Sequence, residues 1–201
     1  MLQNFESLVL IWLGIGFITF ITLLKIPAPY GKFSKTNWGP MIPSKLGWIV
    51  MEIISPLALL YFFLNGNIEK TPTNITFISL WTLHYFNRSV IYPLRQNNPA
   101  QMPLIIAVLA FLFNVMNGYI NGTYFGSIQE YSAEYMSNWN FIVGVCLFII
   151  GAYINIKSDN ILLSLRSKSG EYKIPKGFMF RYVSFPNYLG EILEWMAFAL
   201  M

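Results

Sequence analysis

Residues 46–64 read LGWIVMEIISPLALLYFFL, a run in which Glu52 is the one charged side chain. Its length is close to the roughly 20 apolar residues that a helix needs to cross the hydrocarbon of a bilayer. The same reading extends along the chain. Leu8–Leu24, Ile75–Leu94, Pro103–Ile120 and Asn140–Ile156 are four further runs near that length, and Tyr188–Met201 is a shorter sixth. Lys, Arg, Asp and Glu make up 11% of the 201 residues, against 55% hydrophobic and 17% aromatic. A soluble domain carries roughly 25% charged residues. The chain lacks the charge to cover a water-facing surface, which excludes a soluble nucleic-acid binder, a disordered tail and a disulfide-stapled secreted scaffold. The expected fold is all-α, a polytopic transmembrane helix bundle with six spans, and residues 1–201 form one membrane-embedded domain without internal repeats.

The charges that remain sort by loop. Lys25, Lys32, Lys35 and Lys45 follow span 1, Arg88 and Arg95 flank the end of span 3, and six cations from Lys157 to Arg181 follow span 5. Glu69 and Lys70 cancel after span 2, and Glu130 and Glu134 follow span 4. The positive-inside rule then places the N-terminus outside and loops 1, 3 and 5 in the cytoplasm. The net charge of +4 is accounted for by these loops rather than by a nucleic-acid patch. No basic residue precedes the first apolar run, which leads into Lys25 without a small-residue cleavage site, so it reads as a transmembrane helix and not a signal peptide. Loop 5 is long and basic, with Gly170, Pro175, Gly177 and Pro186 breaking any single helix. It suits an anionic soluble cofactor, or serves only as a positive-inside loop.

Ionisable side chains inside a bilayer are costly, so each is a candidate for function. Span 2 has Glu52, span 3 has His84, Tyr85, Arg88 and Tyr92, span 5 ends in Asn155 and Asp159, and span 6 has Glu191 and Glu194. Tyr85, Arg88 and Tyr92 share one helical face, Asn155 and Asp159 a second, and Asn187, Glu191, Glu194 and Trp195 a third. Three polar stripes in one bundle line a cavity, or tie the helices together by hydrogen bonds alone. For Glu52 and Glu191 the cost of burial favours function; His84 reads equally well as structural. Cys146, the single cysteine, is read as an apolar packing residue, and one His with one Cys gives no metal-ligand set. There is no Gly-x-Gly-x-x-Gly and no Walker loop, so a nicotinamide cofactor would not be held by a Rossmann unit.

Several of these segments resemble the steroid 5α-reductase family, the 3-oxo-5α-steroid 4-dehydrogenases. They are Ala28-Pro29-Tyr30-Gly31-Lys32 with Trp38-Gly39-Pro40, then Trp48 to Glu52 with Pro56, and Leu83-His84-Tyr85-Phe86-Asn87-Arg88 with Ile91-Tyr92-Pro93-Leu94. Asn117-Gly118-Tyr119 and Asn155-Ile156-Lys157-Ser158-Asp159 follow, and Asn187-Tyr188-Leu189-Gly190-Glu191 through Glu194-Trp195 closes the series. Taken in order, they cover most of the chain. The resemblance implies a seven-helix membrane reductase that uses NADPH to reduce the Δ4 double bond of a 3-oxo steroid. It implies that Glu52 and Tyr85 hold the ketone oxygen, that Asn155, Asp159, Arg166, Tyr172, Asn187 and Glu191 contact the cofactor, and that Trp48 and Trp195 line the steroid cavity. Donors at the carbonyl oxygen suit this chemistry, because hydride addition develops negative charge there.

The sequence departs from the family pattern at Lys157, where a His is usual, at Met51, where animal members have Gln, and at Asn97 and Asn98, where some members are basic. Family members also continue into a seventh helix and tail beyond the last residues here, so the domain is expected to be C-terminally incomplete. The expected partners are a steroid or another apolar enone and the lipid bilayer, with no nucleic acid. The expected location is the endoplasmic reticulum in a eukaryote and the inner membrane in a bacterium. The competing readings are an enoyl-lipid or polyprenol reductase of the wider superfamily and an inactive truncated membrane protein.

Overall fold

A computed structural model describes residues 2–29, 31–34, 36–96, 100–165 and 173–201, with Lys32 described by its backbone alone. In chain order the main elements are α1 (Leu2–Leu23), β1 (Met41–Pro43), α2 (Ser44–Leu64), α3 (Pro72–Phe86), α4 (Tyr92–Leu94), β2 (Gln101–Pro103), α5 (Leu104–Thr123), α6 (Trp139–Leu165) and α7 (Pro186–Leu200). A π turn, Asn87–Ile91, joins α3 to α4, and a second, Tyr124–Ile128, extends α5. The fold is all-α apart from the short β1–β2 ladder. Four helical runs, Leu2–Leu23, Ser44–Leu64, Leu104–Ile128 and Trp139–Leu165, are long and apolar enough to cross a membrane. The protein is therefore an integral membrane protein.

The third and sixth apolar runs of the sequence are helical as well, with a different build. The third is divided by the π turn, because the hydrogen-bonding register changes at Asn87. The sixth is α7, 15 residues long. At 27 residues, α6 spans about 40 Å, longer than the roughly 30 Å hydrocarbon layer. The surplus is taken up by tilt or by passage of one end beyond the hydrocarbon.

The chain divides into two compact units. The first comprises Met1–Glu69 and Pro99–Glu130. In it, β1 pairs antiparallel with β2, placing Ile42 opposite Met102. Pro43 and Pro103 end these strands, and the next residues open α2 and α5. Ser44 donates its N–H to the Ala100 carbonyl at 2.9 Å, and Leu104 donates to that of Pro40 at 2.8 Å. The first N–H groups of the two helices, which have no partner within a helix, are thus satisfied by the neighbouring chain. Along the helices, Gly118 and Gly122 of α5 lie against α2. A Cβ added to Gly118 would sit 2.7 Å from the Ser55 carbonyl oxygen, and one on Gly122 would sit 2.5 Å from that of Leu59. Small residues at this spacing let membrane helices touch by backbone. Buried Asn114 adds a hydrogen bond across the contact, from Nδ2 to the Met51 carbonyl at 2.7 Å. No described residue of α1 is fully buried, although Trp12 stacks on Phe113 of α5 with centroids 5.5 Å apart, and most of its apolar surface is left for lipid to cover.

The second unit comprises Lys70–Asn98 and Tyr131–Met201. Here α3 starts at an N-cap, Thr71, whose hydroxyl accepts from the Asn74 N–H, with Pro72 following. Both features are start signals, since proline at the first helical position lacks only an N–H that would have no partner there. Helices α6 and α7 pack at backbone distance. A Cβ on Gly190 would meet Asn155 N at 2.5 Å, and one on Gly151 would meet the Gly190 carbonyl at 2.7 Å. The last carbonyls of α7 are capped from the loop before α6 and from its first turn. Tyr135 Oη donates to the Met201 carbonyl at 2.6 Å, and Asn140 Nδ2 donates to that of Leu200 at 3.3 Å.

These contacts set an expectation for glycine substitution. Gly190→Ala should destabilise the protein by about 1–3 kcal/mol, the usual cost of forcing a methyl group into a filled contact. Gly14→Ala on α1, where a Cβ meets nothing within 4 Å, should be neutral or slightly stabilising. Thermal unfolding of the two variants in detergent, side by side, measures the difference.

Candidate active site

The second unit carries a buried charge cluster built from three helical segments. Arg88, in the π turn, is 6% exposed. Its Nε lies 3.3 Å from Glu191 Oε1 of α7, and its Nη1 lies 3.6 Å from Asp159 Oδ2 of α6. The Tyr92 ring covers the guanidinium, with Cζ 5.3 Å from the ring centroid. Glu191 Oε1 also accepts from Asn155 Nδ2 at 3.1 Å, and the same Nδ2 lies 3.1 Å from the Asn187 carbonyl. Arg88 thus faces two carboxylates, and such pairing offsets the several kcal/mol that a buried charge without a partner costs.

The π turn explains why Arg88 reaches both acids. A π turn widens the helix by one residue and redirects the side chains that follow it, and such turns recur at functional sites. Ser89 Oγ donates to the Tyr85 carbonyl at 2.6 Å, within this turn. The regular spacing of Tyr85, Arg88 and Tyr92 assumes an unbroken α register, which the π turn interrupts, yet Arg88 and Tyr92 remain in contact. Gly151 and Gly190 supply the other condition, because the backbone contact of α6 with α7 is what brings Asn155 to Asn187 and Glu191.

Next to this cluster along α3 and α7 lies an aromatic group. Trp81 stacks on Tyr85 with centroids 5.5 Å apart, and Trp195 lies 4.8 Å from Trp81 and 5.9 Å from Tyr85. His84 meets the edges of Tyr85 and Trp195 at 5.1 and 4.7 Å, and its Nδ1 lies 2.8 Å from Glu194 Oε2.

Of the residues singled out from sequence, the second unit holds Tyr85, Asn155, Asp159, Asn187, Glu191 and Trp195. It joins Asn155, Asp159, Asn187 and Glu191 in one network through Arg88. Trp48 and Glu52 belong to the first unit, on α2. Trp48 packs there on the cluster of Met51, Met102 and Ala107, and Glu52 is half-buried four residues before Pro56, which has no N–H to offer the Glu52 carbonyl. Arg166 and Tyr172 lie outside the described residues. Arg88 was visible in the sequence as an ionisable side chain in an apolar run and a member of a polar stripe, with no partner assigned to it. Its central place follows from counting charges, because it is the one cation inside an apolar run whose neighbours carry several acids. A groove of about 580 Å³ between α1 and α5, bordered by Phe5, Glu6 and Tyr124, contains none of these residues.

Together these features define a polytopic membrane protein with a charged site buried among apolar helices. Residues 100–201 match the family model of 3-oxo-5-alpha-steroid 4-dehydrogenase. Steroid 5-alpha-reductase DET2 of Gossypium hirsutum is 40% identical over 191 residues, which span 91% of this chain and 73% of the relative. The 3-oxo-5-alpha-steroid 4-dehydrogenase 1 of Rattus norvegicus is 34% identical over 92% of this chain and 73% of its own length, and that of Homo sapiens is 31% identical over 93% and 73%. The chain belongs to the steroid 5α-reductase family, oxidoreductases that act on CH–CH groups.

The charge balance is directly testable. Arg88→Met leaves buried Asp159 and half-buried Glu191 without the cation they share and should lower stability by about 3 kcal/mol. Adding Asp159→Asn and Glu191→Gln to it should restore much of that loss, as unfolding in detergent would register. Equal stability of the single and triple variants would contradict the ion-pair assignment.

Proposed function

We propose that this chain reduces the Δ4 double bond of a 3-oxo steroid, with NADPH as the source of hydride. The observation that carries the reading is a site of buried opposite charges, next to a Tyr–Trp cluster, in a chain 40% identical to a protein named steroid 5-alpha-reductase. When bound, NADPH supplies the hydride that is added at C5, the β-carbon of the enone, and a proton added at C4 completes the reduction.

The chain's own residues have separable tasks. Tyr85, through its hydroxyl, and Glu52, as a protonated carboxyl, donate hydrogen bonds to the 3-keto oxygen. Charge builds on that oxygen as hydride arrives, so donors placed there favour the transition state over the ground state. Trp48 and Trp195 supply apolar surface for the steroid rings. Asn155, Asp159, Asn187 and Glu191 would hold the cofactor, with Arg166 and Tyr172 of the basic loop. The fit is supported by the chemistry of this set. Asn187 Oδ1 is buried and has no hydrogen-bond partner among the described residues, so an acceptor is available beside the Asn155 and Glu191 pair. Amide and carboxylate groups in this arrangement match the donors and acceptors of a carboxamide. In this reading residues 1–201 act as one membrane-embedded domain with loops 1, 3 and 5 cytoplasmic, where NADPH is found. The membrane is the endoplasmic reticulum in a eukaryotic host and the inner membrane in a bacterial one.

Membranes containing the chain, supplied with NADPH and progesterone or testosterone, should lose the enone absorbance of the steroid. Tyr85→Phe and Glu52→Leu should each lower kcat by about 100-fold or more, the usual loss when one oxyanion donor is removed. Full turnover by both variants would overturn the assignment of the two donors, and turnover of an enoyl lipid but of no steroid would overturn the substrate.

A further inference from the structure

We infer that His84 and Glu194 form a positioning pair that locks α3 to α7 and sets the ring of Tyr85 against Trp195; this rests on the proposed role of Tyr85. His84 Nδ1 and Glu194 Oε2 are 2.8 Å apart, and their side chains are 6% and 2% exposed. The pair joins neighbouring residues on both helices: His84 precedes Tyr85, and Glu194 precedes Trp195. A helix turns about 100° per residue, so two consecutive side chains cannot both slide along one partner. The polar contact of His84 with Glu194 and the ring contact of Tyr85 with Trp195 therefore fix rotation and translation of one helix on the other. The aromatic contacts alone are permissive, since ring pairs accept a range of separations and tilts. A hydrogen bond of 2.8 Å between buried groups is directional, and displacing it leaves an acid or an imidazole without a partner in a dry environment.

The proton arrangement is constrained by the groups present. An ionised carboxylate only accepts, so one hydrogen lies between Nδ1 and Oε2 whichever partner formally carries the charge. Glu194 Oε1 is buried with no hydrogen-bond partner among the described residues, so His84 supplies the polar contact to this carboxyl group. Neither residue is assigned a contact with substrate or cofactor. Their effect on the reaction passes through the placement of the Tyr85 hydroxyl.

Substitutions that separate the two nitrogens of the ring test the inference. Asparagine carries its amide donor close to where Nδ1 lies, whereas glutamine carries it close to Nε2. In the membrane-bound enzyme, His84→Asn should retain kcat within about threefold, and His84→Gln and His84→Phe should each lower it by about 10–100-fold, with KM for NADPH within twofold, as is typical when a residue that orients a functional group is lost. Both polar variants preserve a hydrogen-bonding side chain, so the comparison holds if His84→Phe fails to accumulate. In a Tyr85→Phe background, His84→Gln should cost no further activity, because its effect acts through the hydroxyl already removed. A general structural role predicts instead an added loss in that background, and that result overturns the inference, as does equal behaviour of the asparagine and glutamine variants. The near-ultraviolet circular dichroism of the purified protein reads the same geometry without turnover. His84→Gln should alter the tryptophan band and His84→Asn should not. If the unmodified protein turns over no steroid, the functional reading fails, and the band alone decides for or against the positioning pair.

Discussion

A guanidinium buried among apolar helices has to be neutralised where it stands, and the second unit is organised around that requirement. Arg88 draws Glu191 from α7 and Asp159 from α6, at 3.3 and 3.6 Å. Each partner can reach it only because of a further local feature. The π turn at Asn87–Ile91 gives Arg88 its direction, and the Gly151–Gly190 contact lets α6 and α7 approach closely enough for Asn155 to bond both Glu191 and the Asn187 backbone. The cost of burying these charges is large compared with the net stability of a domain, so the geometry is strongly specified. A site of this kind is a poor way to gain stability, because apolar replacements would pack as well. It is a good way to present polar groups to a ligand in a place without water.

The same economy appears in the first unit, in a different form. There the demand comes from backbone rather than side-chain polarity. The ladder formed by β1 and β2 takes up the leading N–H groups of α2 and α5, and Asn114 bonds the Met51 carbonyl just before Glu52. Small residues on α5 let the two helices meet closely. These ties hold α2 at both its start and its middle, and Glu52 is half-buried on it. Helix α1 has none of these ties and presents apolar side chains all round, which fits a helix solvated by lipid.

The sequence made the fold class legible because hydrophobicity in a membrane protein is a property of whole segments. Each apolar run from Leu8 to Met201 corresponds to a helical run in the structure, though some ends move, as where α1 starts at Leu2 and α6 continues to Leu165. Candidate residues were legible for a related reason: a charge in an apolar run is rare enough to be noticed singly. Pairing was not legible. Helical periodicity states which side chains share a face, and it assumes an unbroken α register. The π turn breaks that assumption between Tyr85 and Tyr92, so the stripe drawn through them was approximate. Nor does any local signal join His84 to Glu194, which are 110 positions apart. The importance of Gly151 and Gly190 likewise depends on each being opposite the other, a fact that exists only once α6 and α7 are packed.

These two kinds of information meet at Tyr85. Its neighbours in sequence, His84 and Arg88, mark the segment as unusual, and its environment depends on what surrounds it in space. On one side the π turn begins two residues later, with Ser89 holding the Tyr85 carbonyl. On the other, Trp81, His84 and Trp195 enclose the ring. In the proposed role, the Tyr85 hydroxyl would have to be held to within a fraction of an ångström, because a donor that is free to turn loses in reorganisation what it gains in attraction. The cluster meets that need from three directions with rings, which resist compression, and through His84 and Glu194 with one directional polar bond. Buried charge and ring packing are thus complementary: the first specifies where α6 and α7 stand, and the second uses α7 to hold the side chain on α3.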